Sequence, residues 1–214
     1  MAATQTQGNS RRLRGGVILT MPGLVGVLLA AGAGTRFGGD KLMHRLPDGT
    51  PMAVAAAMAL RPACDRLVAV LRPGSDDLAA CLVKAGCEVV WCPEAEAGMG
   101  HSLAAGVRAM ADASGWVVAL ADMPFITCAS HKLVADNLRA GASLVATQFK
   151  GRQGHPVGFS NIWLQQLSMM TGDQGGKTIL KAHLRDLVLC PVEDAGVVWD
   201  IDCWEDLAMQ KQTT

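Results

Sequence analysis

The stretch "LLAAGAGTRFGGDK", Leu28 to Lys41, decides how this chain is read. An apolar run, "LVGVLLA" (24–30), feeds straight into a loop holding Gly32, Gly34, Gly38 and Gly39, and the charges Arg36, Asp40 and Lys41 come late. A buried strand that empties into glycine makes a phosphate cradle, because glycine lets backbone N–H groups approach an anion closely. Three kinds of cradle compete. A Walker A loop would use Gly34 and Gly39, but Asp40 stands where its lysine belongs and Leu42 where its hydroxyl belongs. A dinucleotide loop would use Gly32 and Gly34, but the third glycine, Gly38, comes one place late. It also needs a helix N-terminus at the phosphates, and "HRLPDGTP" (44–51) is turn material. The third kind wraps the phosphates with the loop itself, Arg36 offering a fork and Lys41 a point charge. The bland alternative is a glycine-rich turn with two solvated cations.

Working outward, short apolar runs alternate with helical patterns. The runs are 24–30, 66–71, 87–91, 116–121, 142–147 and 186–192, and several are apolar throughout, as strands covered on both faces are. Between them, 51–60, 75–86, 101–113 and 130–141 have helical character, with Thr50 and Pro51 at one start and Gly86 and Gly141 at two ends. Leu103, Val107 and Met110 are spaced as a buried stripe. This alternation predicts an α/β fold, three-layer and Rossmann-like, with a mostly parallel sheet that binds ligands beyond its carboxyl edge.

Composition narrows the class. Among 214 residues, 50% are hydrophobic and 18% charged, which describes a globular chain with room for one sizeable core. Nineteen basic residues balance nineteen acidic ones, so a nucleic-acid partner is not expected. Seven cysteines, an odd count without a CxxC, argue against a disulfide scaffold or closed zinc site and for a reducing, cytoplasmic setting. "NSRRLRGGVILTMPGLVGVLLAAGAG" imitates a signal peptide, but Pro22 and Gly23 split it and 24–31 is too short to span a bilayer, so no membrane partner is expected. Residues 1–21 read as a flexible tail, 22–214 as the domain, and Met21 as a candidate start of the folded part.

Carboxylates supply the next pattern. "WVVALADMPFI" (116–126) is a buried strand running to Asp122, which would project beside the opening loop. A carboxylate there suits Mg²⁺, a hard cation that takes one or two carboxylates plus substrate phosphates; the alternative is a cap for the following helix. In "WDIDCWEDL" (199–207), Asp200 and Asp202 alternate on an extended segment and face one way, while Glu205 and Asp206 open a last helix.

At this point "LAAGAGTRFGGDKL" resembles the signature loop of the nucleotidyltransferases related to the molybdenum cofactor enzymes, and most of all the molybdenum cofactor cytidylyltransferases. The resemblance rests on Leu29, Ala30, Ala31, Gly32, Gly34, Arg36, Phe37, Gly38 and Lys41, and extends to "LADMP" and to motifs in family order as far as Leu207. It implies a Mg²⁺-dependent transfer of CMP from CTP to the terminal phosphate of molybdopterin or the molybdenum cofactor, releasing pyrophosphate. It makes Arg36 and Lys41 the catalytic cations and Asp122 and Asp202 the metal ligands, although Cys203-Trp204 replaces the usual Thr-Pro after the second aspartate.

The "GMGHSL" segment resembles the family's G-M-G-x-S-L, so Gly98, Gly100 and Ser102 join the nucleotide site, where backbone groups could read a base edge or ribose. "GHPVGF" matches at His155, in a glycine-flanked loop; His155 is either an acceptor-phosphate contact or a structural histidine. "TGDQGGK" brings Asp173, a candidate helix cap, and Lys177, a candidate acceptor-side cation where arginine is usual. "LAAG" goes with CTP in that family and "LAGG" with GTP, so Ala31 implies a cytosine donor, with a guanylyltransferase as rival. The resemblance also implies transient docking to a molybdoenzyme or its chaperone, and leaves open a non-catalytic module that holds the cofactor for delivery.

Overall fold

Leu24–Leu29 (β1) is apolar at every position because both of its faces are covered. In the computed structural model, which describes residues 23–32, 41–173 and 175–201, Leu24 and Leu28 enter one core while Val25, Val27 and Leu29 enter another. The expected tail and three expected site residues, Gly34, Arg36 and Asp202, lie outside the described residues. The other strands are β2 (Arg66–Leu71), β3 (Glu88–Trp91), β4 (Gly115–Leu120), β5 (Leu144–Phe149), β6 (Arg152–Ser160) and β7 (Leu187–Pro191). The helices are α1 (Met52–Leu60), α2 (Asp76–Lys84), α3 (Met99–Ala109), α4 (Cys128–Arg139), α5 (Leu164–Ser168) and α6 (Lys177–Ala182).

The fold is a three-layer α/β arrangement around a seven-stranded, mostly parallel sheet in the order β3-β2-β1-β4-β6-β5-β7. Helices α1, α2 and α4 cover one face through Leu60, Leu82 and Val134. Helices α3, α5 and α6 cover the other through Val107, Leu167 and Leu180. The expected stripe of Leu103, Val107 and Met110 lies in this second core. From β1 the chain moves outward to β2 and β3, then crosses back through α3 to β4 on the other side of β1. That reversal opens a crevice beyond the carboxyl ends of β1 and β4.

Strand β6 is the main departure from the sequence reading, which made 151–160 a glycine-flanked loop. It pairs antiparallel with both β4 and β5. Lys150 and Gly151 both take positive φ, at 47° and 80°, and form a two-residue turn of the kind that matches strand twist. The glycines that imitate a loop serve packing. A Cβ at Gly158 would meet Val134 and Leu138 of α4, and one at Gly154 would collide with the Val197 carbonyl. Smaller differences occur at α1, where Pro51 occupies the cap position and Thr50 donates its N–H to Asp48. Gly86 and Gly141 end their helices at φ 87° and 102°, as glycine allows. The six described cysteines are free, and burial pushes the Cys64 thiol to about 12 and the Cys87 thiol to about 11, which makes them inert. Among the described residues no helix is long and apolar enough to cross a membrane.

The segment after β7 is tied to the start of α4. Asp194 Oδ2 accepts from Thr127 N, Thr127 Oγ1 and Ser130 Oγ at 2.9, 2.8 and 2.6 Å. Thr127, not Asp122, caps α4. One turn in, His131 is 1% exposed and its Nδ1 has no hydrogen-bond partner. Burial pushes its imidazole down to about 4, with Asp194 opposing and His155 reinforcing.

Two outcomes follow from this packing. Gly106 of α3 lies so close to the sheet that a Cβ would come within 2.8 Å of Val27 and 2.9 Å of Val70. Alanine gains about 1 kcal/mol in helix propensity, but overpacking a closed core costs about 1–3 kcal/mol. We therefore expect Gly106→Ala to lower the urea midpoint despite the better helix former. His131 titrates at 6.5 ordinarily and at about 4 when folded, so the unfolded chain binds more protons between those values. Its contribution is complete above pH 6.5 and falls by up to about 3 kcal/mol as the pH drops to 4. His131→Leu should flatten that part of a stability–pH profile measured by urea unfolding.

Candidate functional site

Register places the first two site elements. Leu29 of β1 stands opposite Leu120 of β4, so Ala31 and Asp122 each lie two residues beyond matched strand ends. Ala121 N donates to Leu29 O at 3.0 Å, which holds the two ends together. Lys41 returns to this point at the start of the 3₁₀ turn Lys41–Met43 and donates its Nζ to Asp122 Oδ2 at 3.0 Å. The lysine is 6% exposed and the aspartate 29%, so the pair sits at the floor of the crevice with the carboxylate facing outward.

Two cavities adjoin at this edge of the sheet, and the pair lines the first. The first, about 450 Å³, is lined by Leu29, Ala31, Gly32, Lys41, Gly98, Ser102, Asp122 and Asp173, all named from the sequence. The second, about 460 Å³, is lined by His155, Asp173 and Lys177 over a floor that includes Val118, Val157, Phe159 and Leu180. Leu29, Met99, Leu120 and Asp173 belong to both linings, so the cavities share a wall.

Two expected residues stand behind this surface. Ala30 is buried in the first core, and its N–H donates to Val70 O at 2.9 Å. Gly100 donates its N–H to Gly172 O at 2.7 Å, and a Cβ on it would meet the Thr171 and Gly172 carbonyls. A Cβ at Gly98, at φ 129°, would collide with the Gly172 backbone. Both glycines thus let the start of α3 press against the turn that carries Asp173.

His155 lies on β6, not in a loop. Burial holds its imidazole below the ordinary value, against a hydrogen bond to the Val118 backbone and the nearby Asp122 and Asp200 carboxylates. Its Nδ1 is buried without a partner. It is a neutral ring at pH 7. Lys177 is exposed at the first position of α6, whose N-cap is Gly176 and makes no side-chain cap, so Asp173 is not that cap.

The sequence reading missed Arg152, Gln153, Val197 and Val198, which complete the second cavity, and Ala95 and Glu96, which edge the first. Arg152 was visible in "GRQGHPVGFS" but was hidden by reading that stretch as a loop. Asp200 lines the second cavity, and Ile201 N donates to Asp122 O at 3.0 Å. The last described residue, Ile201, is therefore tied to Asp122.

Among the described residues one part-exposed carboxylate, Asp122, is compatible with a hard divalent cation. Asp122 presents a part-exposed carboxylate at the crevice, and no group of three or more His, Cys, Asp or Glu able to hold a metal occurs among the described residues. A cation with one or two protein carboxylates completes its shell with substrate phosphates and water, as Mg²⁺ does.

Known proteins resemble the chain in sequence and in fold. The chain is 30% identical over 206 residues to the purine catabolism protein PucB of Bacillus subtilis, covering 89% of this chain and 97% of PucB. It is 32% identical over 201 residues to the nicotine blue oxidoreductase of Paenarthrobacter nicotinovorans, covering 87% and 96%. Among solved structures, Rv0371c of Mycobacterium tuberculosis H37Rv superposes with a TM-score of 0.80 at 26% identity, over 91% of this chain and all of that one. Its complex with manganese superposes with a TM-score of 0.73. Residues 26–187 match the model of the MobA-like NTP transferase domain, and the chain belongs to that family.

Proposed function

We propose that the chain transfers CMP from CTP to the terminal phosphate of molybdopterin or the molybdenum cofactor, with release of pyrophosphate. The observation that carries this reading is the pair of cavities with a common wall of Leu29, Met99, Leu120 and Asp173, the first of them holding the joined Lys41 and Asp122. A transfer between two bound molecules needs such a junction, because holding both reactants in line removes most of the entropic part of the barrier. The first cavity, with Gly32 and Lys41, suits a triphosphate. The second has an apolar floor with Arg152 and Lys177 among its lining, which suits a flat heteroaromatic body with an anionic end better than a polyhydroxylated sugar. Ala31 faces the first cavity and supports a cytosine donor by the family pattern.

An oxygen of the acceptor phosphate attacks the α-phosphorus in line, the bond to the β-phosphate breaks, and pyrophosphate carries away the electron pair. The attacking oxygen is already anionic, so no general base is required. Lys41 has three N–H donors and can serve Asp122 and a phosphate oxygen together. His155, neutral and buried, shapes the acceptor wall instead of adding charge. Asp122 and Asp202 would hold Mg²⁺, which when bound supplies charge neutralisation for the transferred and leaving phosphates. The site on this reading is served by soluble substrates in the cytoplasm, with delivery of the product to a molybdoenzyme or its chaperone.

Pyrophosphate release should appear with CTP, Mg²⁺ and molybdopterin, and fall by at least about 100-fold in Asp122→Ala, a loss near 2.7 kcal/mol of transition-state stabilisation. Release with GTP but not CTP would overturn the cytidine assignment in favour of a guanylyltransferase. Cofactor binding with no release from any nucleotide would leave the delivery module instead. Oxidation or reduction of nicotine blue without pyrophosphate release would align the chain with the redox name of one relative.

A further inference from the structure

The first cavity contains a charge that does not fit a polyanion. Among the described residues its lining holds one cation, Lys41, beside Asp122, and two further carboxylates: Asp173, on the wall shared with the second cavity, and Glu96, on the turn after β3. Glu96 lies on the 3₁₀ turn Pro93–Ala97 that follows β3. Its neighbour in the same turn, Glu94, does not line the cavity. Among the described residues Glu96 makes no ion pair, and its carboxylate accepts no hydrogen bond. An unneutralised carboxylate in a triphosphate site would repel its ligand if it faced the phosphates. It is tolerated where the ligand presents hydrogen-bond donors.

The sheet says which end of the ligand that is. Asp122 follows β4 and Glu96 follows β3, and the order β3-β2-β1-β4 puts three inter-strand spacings between them. At about 4.8 Å each, this amounts to roughly 14 Å along the carboxyl edge. A nucleotide whose phosphates lie over Gly32 and Lys41 therefore carries its base toward Glu96.

We infer that Glu96 selects the donor base by accepting a hydrogen bond from its exocyclic amine. This rests on the nucleotidyl-transfer reading for its substrate, but concerns only the base. An ionised carboxylate has acceptors and no donor. Cytosine offers the N4 amine where uracil offers the O4 acceptor, and guanine offers an N2 amine that hypoxanthine lacks. Glu96 thus separates amino bases from their oxo or unsubstituted counterparts. The purine-or-pyrimidine choice falls to other walls, Ala31 among them.

The test compares CTP with UTP, and GTP with ITP, for the wild-type chain, Glu96→Gln and Glu96→Ala, with Mg²⁺ present. Binding is followed by titration calorimetry and turnover by pyrophosphate release. Glu96 is exposed, so both variants are expected to fold. The wild-type chain should prefer the amino base in whichever pair it accepts. Glu96→Gln, whose amide can donate as well as accept, should shrink that preference about tenfold, by improving UTP in the pyrimidine pair and by weakening GTP in the purine pair. Unchanged preference in both variants, with binding intact, overturns the role of Glu96 and leaves the transferase reading standing. Binding with the expected preference but no turnover keeps Glu96 and overturns the transferase. Failure of every nucleotide to bind overturns both.

Discussion

Leu29 opposite Leu120 is a register between two parallel strands whose chains depart toward opposite edges of the sheet. Because β1 departs toward β2 while β4 departs by way of α4 toward β5, no connection covers the edge where these two strands end. The backbone there has to turn away, and what it carries at the turn is exposed to the same crevice. Ala31 and Gly32 come from one strand end and Asp122 from the other. A slip of one residue would rotate every β4 side chain to the opposite face, placing Val118 and Trp116 in the wrong core. The two apolar cores thus fix the position of one carboxylate.

A second constraint works from the far end of the chain. Asp194 gathers three donors from the start of α4 and a fourth from Gly196 N at 3.0 Å, which fixes where the segment after β7 begins. Gly154 has no Cβ, so the turn Ala195–Val198 can lie against β6, and Ile201 N then reaches Asp122 O. The wall of the second cavity and the approach of the C-terminal residues to Asp122 follow from these contacts. A half-buried carboxylate with four donors is held more tightly than surface pairs such as Arg139–Asp136, where solvent screens the charges.

How much of this could be read in advance depended on whether the residue pattern had one physical cause or two. Continuous apolar runs had one, burial on both faces, so β1, β2 and β4 were legible along with the crevice beyond them. Asp122 was legible because a carboxylate ending such a run has few structural reasons to be there. The stretch 151–160 had two causes superimposed. Its glycines and proline are loop-formers by propensity, yet here Gly154 and Gly158 make room for a turn and a helix that come from elsewhere in the chain. The hairpin turn was also disguised, since Lys150 takes a positive φ usually left to asparagine or glycine. Gly98 and Gly100 show the same limit. They were visible as permissive residues, but the surface they accommodate, Thr171–Gly172, is remote in sequence. Glu96 gave no signal, because only the folded turn after β3 shows which of two neighbouring glutamates reaches the cavity.

The Lys41–Asp122 pair draws these strands of argument together. Burying an ammonium costs several kcal/mol of lost hydration, which an ion pair such as the one to Asp122 at 3.0 Å roughly offsets at best. Apolar side chains of similar size would fold as well or better, so stability does not account for the pair. Its geometry does. The lysine is enclosed and held, while the aspartate keeps part of its surface open toward the crevice. A fixed cation and an available carboxylate at one point can receive a ligand that carries both negative phosphate oxygens and a hard cation, and neither residue alone could do so. Net charge is zero over the whole chain, so the attraction for such a ligand has to be local. The neutral His155 ring and the apolar floor of the adjoining cavity lower the dielectric there, so that the charges on its lining, Arg152 and Lys177 among them, count for more than they would in water.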